Sequence, residues 1–208
     1  MTSNLAVVKK PGAEMSQVHQ APAWLAAQMP GVYRSRFEEI QRLAAEIQGM
    51  ERMGRLLWEH GPALREVVSE AFAALNTKSE WSTDGSHLTV RIDATRRLLV
   101  HVATTDGPHE RNSDSLANAF KLLQTTAAAD DRVVLVTTGE RTMPPQERAD
   151  TVSPDAHDLL KRMGVNVMPC TTLFSIWMLS LQGLSEARAY LELLHSQDGG
   201  TFKTKAGK

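Results

Sequence analysis

Residues 96–106, RRLLVHVATTD, constrain the fold of this chain more than any other segment. The mainly apolar run LLVHV and three small residues lie between a pair of arginines and the turn residues Asp106, Gly107 and Pro108. A short apolar run bounded by turn residues is typical of a buried strand. The segment therefore predicts the strand around which the rest of the chain is arranged.

The neighbours of this strand predict the architecture. Upstream, residues 87–93 (HLTVRID) form a second strand pattern, and the short polar connection between the two favours an antiparallel hairpin. Downstream, residues 113–128 show helical spacing of apolar residues and precede the apolar run RVVLVTT at 132–138. Strands that alternate with helices predict an α/β (α+β) fold with a mixed central sheet flanked by helices, in which RVVLVTT runs parallel to the central strand. Further predicted elements are strands at 78–81 and 165–168 and helices at 154–163, 171–181 and 185–195.

The N-terminal part has a different pattern. Residues 1–21 lack periodicity and predict a flexible tail. A short hydrophobic segment follows at 22–31 (PAWLAAQMPG) and is called the hook below. Residues 32–60 then carry apolar residues at steps of three and four, which predicts one long amphipathic helix that ends at Gly61-Pro62. A second amphipathic helix is predicted at 63–76. The predicted organisation is thus a tail at 1–21, a hook and long helix at 22–60, a core at 61–196 and a flexible basic tail at 197–208.

Composition limits the classes of function. A chain of 208 residues that is 42% hydrophobic can bury one good core, and a net charge of −1 creates no overall field toward nucleic acid or membrane. The single cysteine, Cys170, excludes an internal disulfide and a multi-cysteine zinc site, and its place after Pro169 predicts a buried structural thiol. No apolar run reaches membrane-spanning length. These features predict a cytoplasmic protein that has no contact with membranes.

The order of several segments carries a resemblance to a known family. LLWEHG precedes LREVVSEAFAALN, the hairpin and a helix follow, and then come VVLVTTGERTMPPQERAD and VMPCTTLFSIWML. This order resembles the PD-(D/E)XK, restriction-endonuclease-like superfamily over more than half of the chain. The resemblance implies a restriction-endonuclease-like sheet. It also implies a divalent-metal nuclease site, with Glu-X-Lys in the central strand and a partner acid at the start of the preceding strand.

The residues at the matching positions depart from this pattern. His101 and Ala103 stand where the carboxylate and the lysine would be. Mg²⁺ prefers oxygen ligands, so an imidazole and a methyl group are poor replacements. If Asp93 pairs with Arg97, Thr89 lies opposite His101 and His87 lies opposite Ala103. The sequence therefore predicts a degenerate member with no catalytic residues and no cofactor, whose remnant active-site face consists of His87, Thr89, His101 and Ala103.

Two other chemistries remain open at this face. One is an active nuclease in which Asp84 supplies a displaced carboxylate to Mg²⁺ or Mn²⁺, beside His101 and with Lys121 in place of the missing lysine. The other is a site for Zn²⁺ or another metal that prefers imidazole, formed by His87, His101 and Asp84.

Two surfaces are candidates for binding partners. Five arginines are candidates for binding nucleic acid, although acidic residues lie between them in the sequence: Arg91, Arg96, Arg97, Arg141 and Arg148. A protein partner or a second copy of the chain is expected at the hook and long helix, through Trp24, Leu25, Phe37 and Ile40. The favoured hypothesis is a catalytically inactive, nuclease-like binding or scaffolding subunit of a prokaryotic nucleic-acid-processing or defence assembly. The alternatives are the active nuclease and a nucleic-acid-binding subunit that positions a separate enzyme.

Overall fold

The computed structural model describes residue 28 and residues 30–204, without the side chains of 104–106. The described residues form six α-helices and a six-stranded mixed sheet. The helices are α1 (Gly31–Gly54), α2 (Gly61–Ala74), α3 (Asp114–Thr125), α4 (Pro154–Arg162), α5 (Cys170–Ser180) and α6 (Leu184–Ser196). The strands are β1 (Lys78–Trp81), β2 (Leu88–Arg91), β3 (Arg97–Asp106), β4 (Asp131–Thr138), β5 (Asn166–Pro169) and β6 (Gly200–Thr201).

The strands lie in the sheet in the same order as in the sequence. β1, β2 and β3 pair antiparallel, whereas β3, β4, β5 and β6 pair parallel. The prediction of a mixed α/β sheet is therefore confirmed, with its antiparallel hairpin and with RVVLVTT parallel to the central strand.

Helices cover both faces of the sheet, which explains why consecutive residues of β3 are apolar. Val100 and Val102 belong to a core cluster that includes residues of α2, α5 and α6. Leu99 and Ala103 belong to a second cluster with residues of α3 and α4. Because successive side chains of a strand point to opposite faces, both sets of residues are removed from water.

The predicted end of the long helix is wrong. α1 ends at Gly54, a 3₁₀ turn follows at Arg55–Leu57, and Gly61-Pro62 begin α2 instead of ending α1. Proline is favoured in the first turn of a helix, where its missing N–H has no partner to lose. The chain divides by compactness between Gln48 and Gly49, so that the cut falls inside α1.

The prediction of a flexible tail at 197–208 missed a short sixth strand, β6. Gly200 and Thr201 pair with β5, and Phe202 is buried in the first core cluster. Gly199 and Gly200 have φ of +78° and +90°, and a Cβ on Gly199 would lie 2.7 Å from the carbonyl oxygen of Lys161. Only glycine fits there, because this conformation and this close approach exclude a side chain.

None of the helices in the described part of the chain is long and apolar enough to cross a membrane.

Candidate functional site

An open cavity of about 700 Å³ lies beside β3, on the face that α3 covers. Its wall includes His101 and Ala103 of β3, Asp84 of the β1–β2 turn and Lys121 of α3. The structure therefore brings together all three residues of the displaced nuclease site and half of the predicted remnant face. His87 and Thr89 lie on the same face of the sheet by alternation with Leu88 and Val90, which point into the first core cluster.

The β1–β2 turn fixes the carboxylate of Asp84. Its Oδ1 accepts hydrogen bonds from the Ser82 hydroxyl at 2.7 Å, the Ser86 hydroxyl at 2.8 Å and the Ser86 N–H at 3.0 Å. The backbone N–H of Ser86, followed by the two hydroxyls, lowers the pKa of Asp84 well below its ordinary range. Asp84 is therefore a fixed anion whose strongest local interactions are with its own turn.

The same turn also holds one of the cations of this wall, Arg65. Arg65 of α2 donates to the carbonyl oxygen of Gly85, and its guanidinium carbon lies 4.2 Å from the ring centroid of Trp81. A guanidinium that is bonded to a carbonyl and stacked on an aromatic ring is held in one place. The cavity wall thus carries a fixed anion, Asp84, and next to it a fixed cation, Arg65, which is bonded to the residue after Asp84.

The two histidines are connected through Ser86. The Ser86 hydroxyl lies 3.0 Å from Nδ1 of His87, and the Ser86 carbonyl oxygen lies 3.1 Å from Nδ1 of His101. Burial lowers the pKa of both imidazoles, and Arg97 adds to this for His87, whereas Arg65 and the neighbouring His87 add to it for His101. Both rings are therefore neutral near pH 7, with His101 able to donate its Nδ1 proton to the carbonyl.

The strand register differs from the predicted one by two residues. Arg91, not Asp93, pairs with Arg97, and Thr89 pairs with Leu99. Extending the register by one residue places His87 opposite His101. The reason is local: the carboxylate of Asp93 accepts from the N–H groups of Thr95 and Arg96, so Asp93 belongs to the turn.

The described side chains do not fit a two-carboxylate metal site. Among them, no three His, Cys, Asp or Glu residues come close enough to hold a metal ion together. His101 offers nitrogen where Mg²⁺ requires oxygen, and Ala103 offers no polar atom. The zinc hypothesis for His87, His101 and Asp84 also lacks the necessary grouping among the described side chains.

The five arginines lie at opposite ends of the sheet. Near the β2–β3 turn, Arg91 pairs with Glu80 at 3.4 Å, Arg96 bridges Asp93 and Glu192, and Arg97 pairs with Asp131. Arg141 and Arg148 follow the other end of β4, where Arg148 donates to the carbonyl oxygens of Met143 and Leu57. The structure does not bring the two groups together, and nucleic-acid binding by these residues stays a prediction.

The predicted partner-binding residues fall into two sets. Trp24 and Leu25 lie outside the described residues. Phe37 is half-buried and stacks on Tyr33 with ring centroids 6.3 Å apart, whereas Ile40 is 44% exposed.

Several residues of the cavity had no place in the sequence-based site. Ser86 and the turn of Asp84 could have been found, because Ser-Thr-Asp-Gly-Ser is a turn signature in which Asp accepts from the backbone two residues later. Arg65, Ser113 and Asn118 gave no such signal, since Arg65 lies on α2 and the other two lie at the start of α3 and within it, and only the tertiary fold brings these helices to this wall.

A second cavity lies where β4 and β5 end, and Cys170 contributes to its lining. Burial raises the pKa of the Cys170 thiol to about 12, so the thiolate is not populated at neutral pH. The predicted buried thiol is confirmed.

No family model, no curated protein and no solved structure matches this chain significantly.

Proposed function

We propose that this chain is a catalytically inactive member of the PD-(D/E)XK, restriction-endonuclease-like superfamily. It acts as a binding or scaffolding subunit of a prokaryotic nucleic-acid-processing or defence assembly. The observation that carries the proposal is the composition of the cavity wall, where His101 and Ala103 occupy β3 and the carboxylate of Asp84 already accepts three hydrogen bonds from its own turn.

The order of elements supports membership of the superfamily. Helix α2 precedes an antiparallel meander of three strands, and α3 then leads to β4, which is parallel to β3. This is the arrangement that the resemblance implies around its nuclease site. The cavity lies beside the strand on which that site would be built.

The chemistry of the wall supports inactivity. Phosphodiester cleavage by this type of site needs carboxylates that hold a metal ion, and a lysine that stabilises the developing charge. A neutral imidazole does not replace the carboxylate for Mg²⁺, and a methyl group cannot stabilise charge. The wall of β3 therefore supplies neither function.

The cavity itself supports retained binding. Its lining keeps hydroxyl and amide groups along α3, from Ser113, Ser115, Asn118 and Thr125, beside the ammonium of Lys121. Concave surfaces with a few polar groups are the usual places for ligands. A cavity without a hydrolytic centre but with these donors suits recognition without cleavage.

The test is a cleavage assay on the purified full chain. With Mg²⁺ or Mn²⁺, single-stranded and double-stranded DNA and RNA should remain intact above the background of a mock preparation. Cleavage that Asp84→Ala abolishes would overturn the proposal. Cleavage that survives this substitution would come from a contaminating nuclease and would support it.

A second candidate is an active nuclease with a displaced site. It is favoured by the convergence of Asp84, His101 and Lys121 on one cavity. This candidate requires that Lys121→Ala reduce any observed cleavage as strongly as Asp84→Ala. The matched control is Lys78→Ala, which removes an exposed lysine of β1 outside the cavity and should have no effect.

A further inference from the structure

Helix α1 carries an exposed apolar stripe along one face. Five of its apolar residues, Tyr33, Ile40, Leu43, Ile47 and Met50, are between 38% and 57% exposed. At 100° per residue they lie, together with Val32, Phe37 and Ala44, within an arc of about 140°, the width of a helix face that packs against another element. An apolar face of this extent on a helix surface marks a site of association.

Two charged residues lie inside this stripe, one near each end. Arg36 is in the first third of α1, where it pairs with Glu39 of the same helix at 2.8 Å, and Glu51 is in the last turn. A parallel pair of helices would place Arg36 against Arg36 and Glu51 against Glu51. An antiparallel pair centred between Leu43 and Ala44 places Arg36 opposite Glu51 at both ends, so that charge complementarity selects the antiparallel orientation.

The same register brings apolar residues together along the seam. It places Ile40 and Ile47, near the middle of the stripe, at one height, and Phe37 and Met50 at another height on its two edges. At the centre, the two-fold axis places Leu43 beside Leu43 of the second copy and Ala44 beside its own copy, and the small Ala44 side chains allow the two helices to approach closely there. The same alignment of the two helices therefore satisfies both the charged and the apolar residues.

The available area suffices for a weak, specific dimer. The exposed apolar surface of the stripe is on the order of 500 Å² per chain, so two copies would bury about 1,000 Å², the size at which specific interfaces begin.

We propose that α1 is a self-association surface on which a second copy of this chain packs antiparallel. The partner is identified by the stripe itself, because one set of residues supplies both halves of every pair, as an interface with two-fold symmetry requires. The proposal does not depend on the chemistry of the cavity.

A charge exchange tests the orientation. Arg36→Glu or Glu51→Arg alone should weaken dimerisation of the full chain by about 10- to 100-fold in sedimentation velocity, because each creates two like-charge contacts. The double variant Arg36→Glu/Glu51→Arg should restore association to within about threefold of wild type. The matched control is Arg42→Glu, which breaks the Arg42–Glu46 pair on the opposite face and should leave the dimer unchanged.

Single cysteines provide a second readout that does not depend on affinity. Cys170 is buried, so an introduced thiol is the reactive one. Ala44→Cys lies next to its own copy at the centre of the antiparallel pair and should form a disulfide-linked dimer on mild oxidation, whereas Tyr33→Cys should not. Circular dichroism of each variant verifies that the helix content is unchanged.

Three results would overturn the proposal. One is a wild-type chain that stays monomeric up to about 100 µM, which leaves the stripe to a different protein or to residues 1–27. The others are cross-linking of Tyr33→Cys, which indicates parallel helices, and failure of the double exchange to restore association.

Discussion

The two ends of β3 differ in their surroundings. At the first residue, the guanidinium of Arg97 donates to both carboxylate oxygens of Asp131, at 2.9 and 2.6 Å. Four and six residues later, His101 and Ala103 lie at the edge of an open cavity. Both ends lie in the same sheet, next to the same strand β4. One end is a closed ion pair in which the side chain of Asp131 is 1% exposed. The other end carries a partly exposed His101 and a buried Ala103 beside the cavity.

The difference shows which end of β3 uses an ion pair to stabilise the folded state. Burial opposes ionisation of Asp131, but the hydrogen bonds from Arg97 and from the N–H of Ala128 outweigh it and lower the pKa of Asp131. At the cavity end, burial instead keeps both imidazoles neutral. The closed end should therefore dominate stability, and the cavity end should tolerate substitution.

The largest effect is expected from Asp131→Ala. This change leaves Arg97 without its acceptor and removes the acceptor of the Ala128 N–H, and should lower the free energy of unfolding by about 2–3 kcal/mol. The value is below that of a fully buried pair because Arg97 stays 37% exposed. Chemical denaturation measures it.

Asp130→Ala is the matched control for this first prediction. It removes the neighbouring carboxylate, which is exposed, and keeps the backbone carbonyl that accepts from His195. A loss of stability as large as that of Asp131→Ala would contradict the assigned role of the Arg97 pair.

A smaller effect, on pH dependence, is expected from His101→Gln. The pKa of His101 is lower in the folded state than its ordinary value of 6.5, so the unfolded chain binds more protons below this pH. Wild type should lose stability as the pH falls from about 6.5 to 5, and His101→Gln should reduce this slope. Asp131, whose pKa is lowered, contributes its own loss only below about pH 4.

Thermal melting between pH 7 and pH 3 separates the two ends of β3. His101→Gln should alter the upper part of this range, and Asp131→Ala should alter the acid limb. A variant at one end that changes both windows would show that the two ends are coupled.

The smallest effect is expected from Ser86→Ala. The change removes one hydroxyl donor from Asp84 and one contact to His87, but keeps the backbone N–H that is the main cause of the low pKa of Asp84. The pKa of Asp84 should rise part of the way to its ordinary value, with almost no change in melting temperature. Carbon-13 NMR titration of the carboxylate measures it, and Ser79→Ala on β1 is the control.

Much of the architecture was accessible from the sequence because apolar spacing reflects burial directly. The apolar residues of 98–102 and of 133–136 face both sides of the sheet, and the two segments became neighbouring strands in its middle. Helix and strand positions in the core followed within a few residues. The end of α1 did not, because Gly61-Pro62 fits the start of a helix as well as the end of one.

The candidate site could be predicted only in part from the sequence. His101 and Ala103 were singled out because the resemblance implies a carboxylate and a lysine at these two positions of the central strand. Their partners were misplaced by two residues, since the pairing register depends on whether Asp93 extends the strand or caps the turn. Arg65 was not found because its contact with Gly85 joins residues 20 positions apart.

The sequence by itself determined the order of the elements, the presence of His101 and Ala103 in the central strand, and the apolar stripe of α1. These properties depend on local spacing and on the identity of single residues. Only the tertiary structure decided that Asp84, His101 and Lys121 share one cavity, that Arg97 is neutralised by Asp131, and that Gly200 and Thr201 extend the sheet. Each of these results joins residues far apart in the chain, and such contacts form only when the buried cores fix the distances between strands and helices.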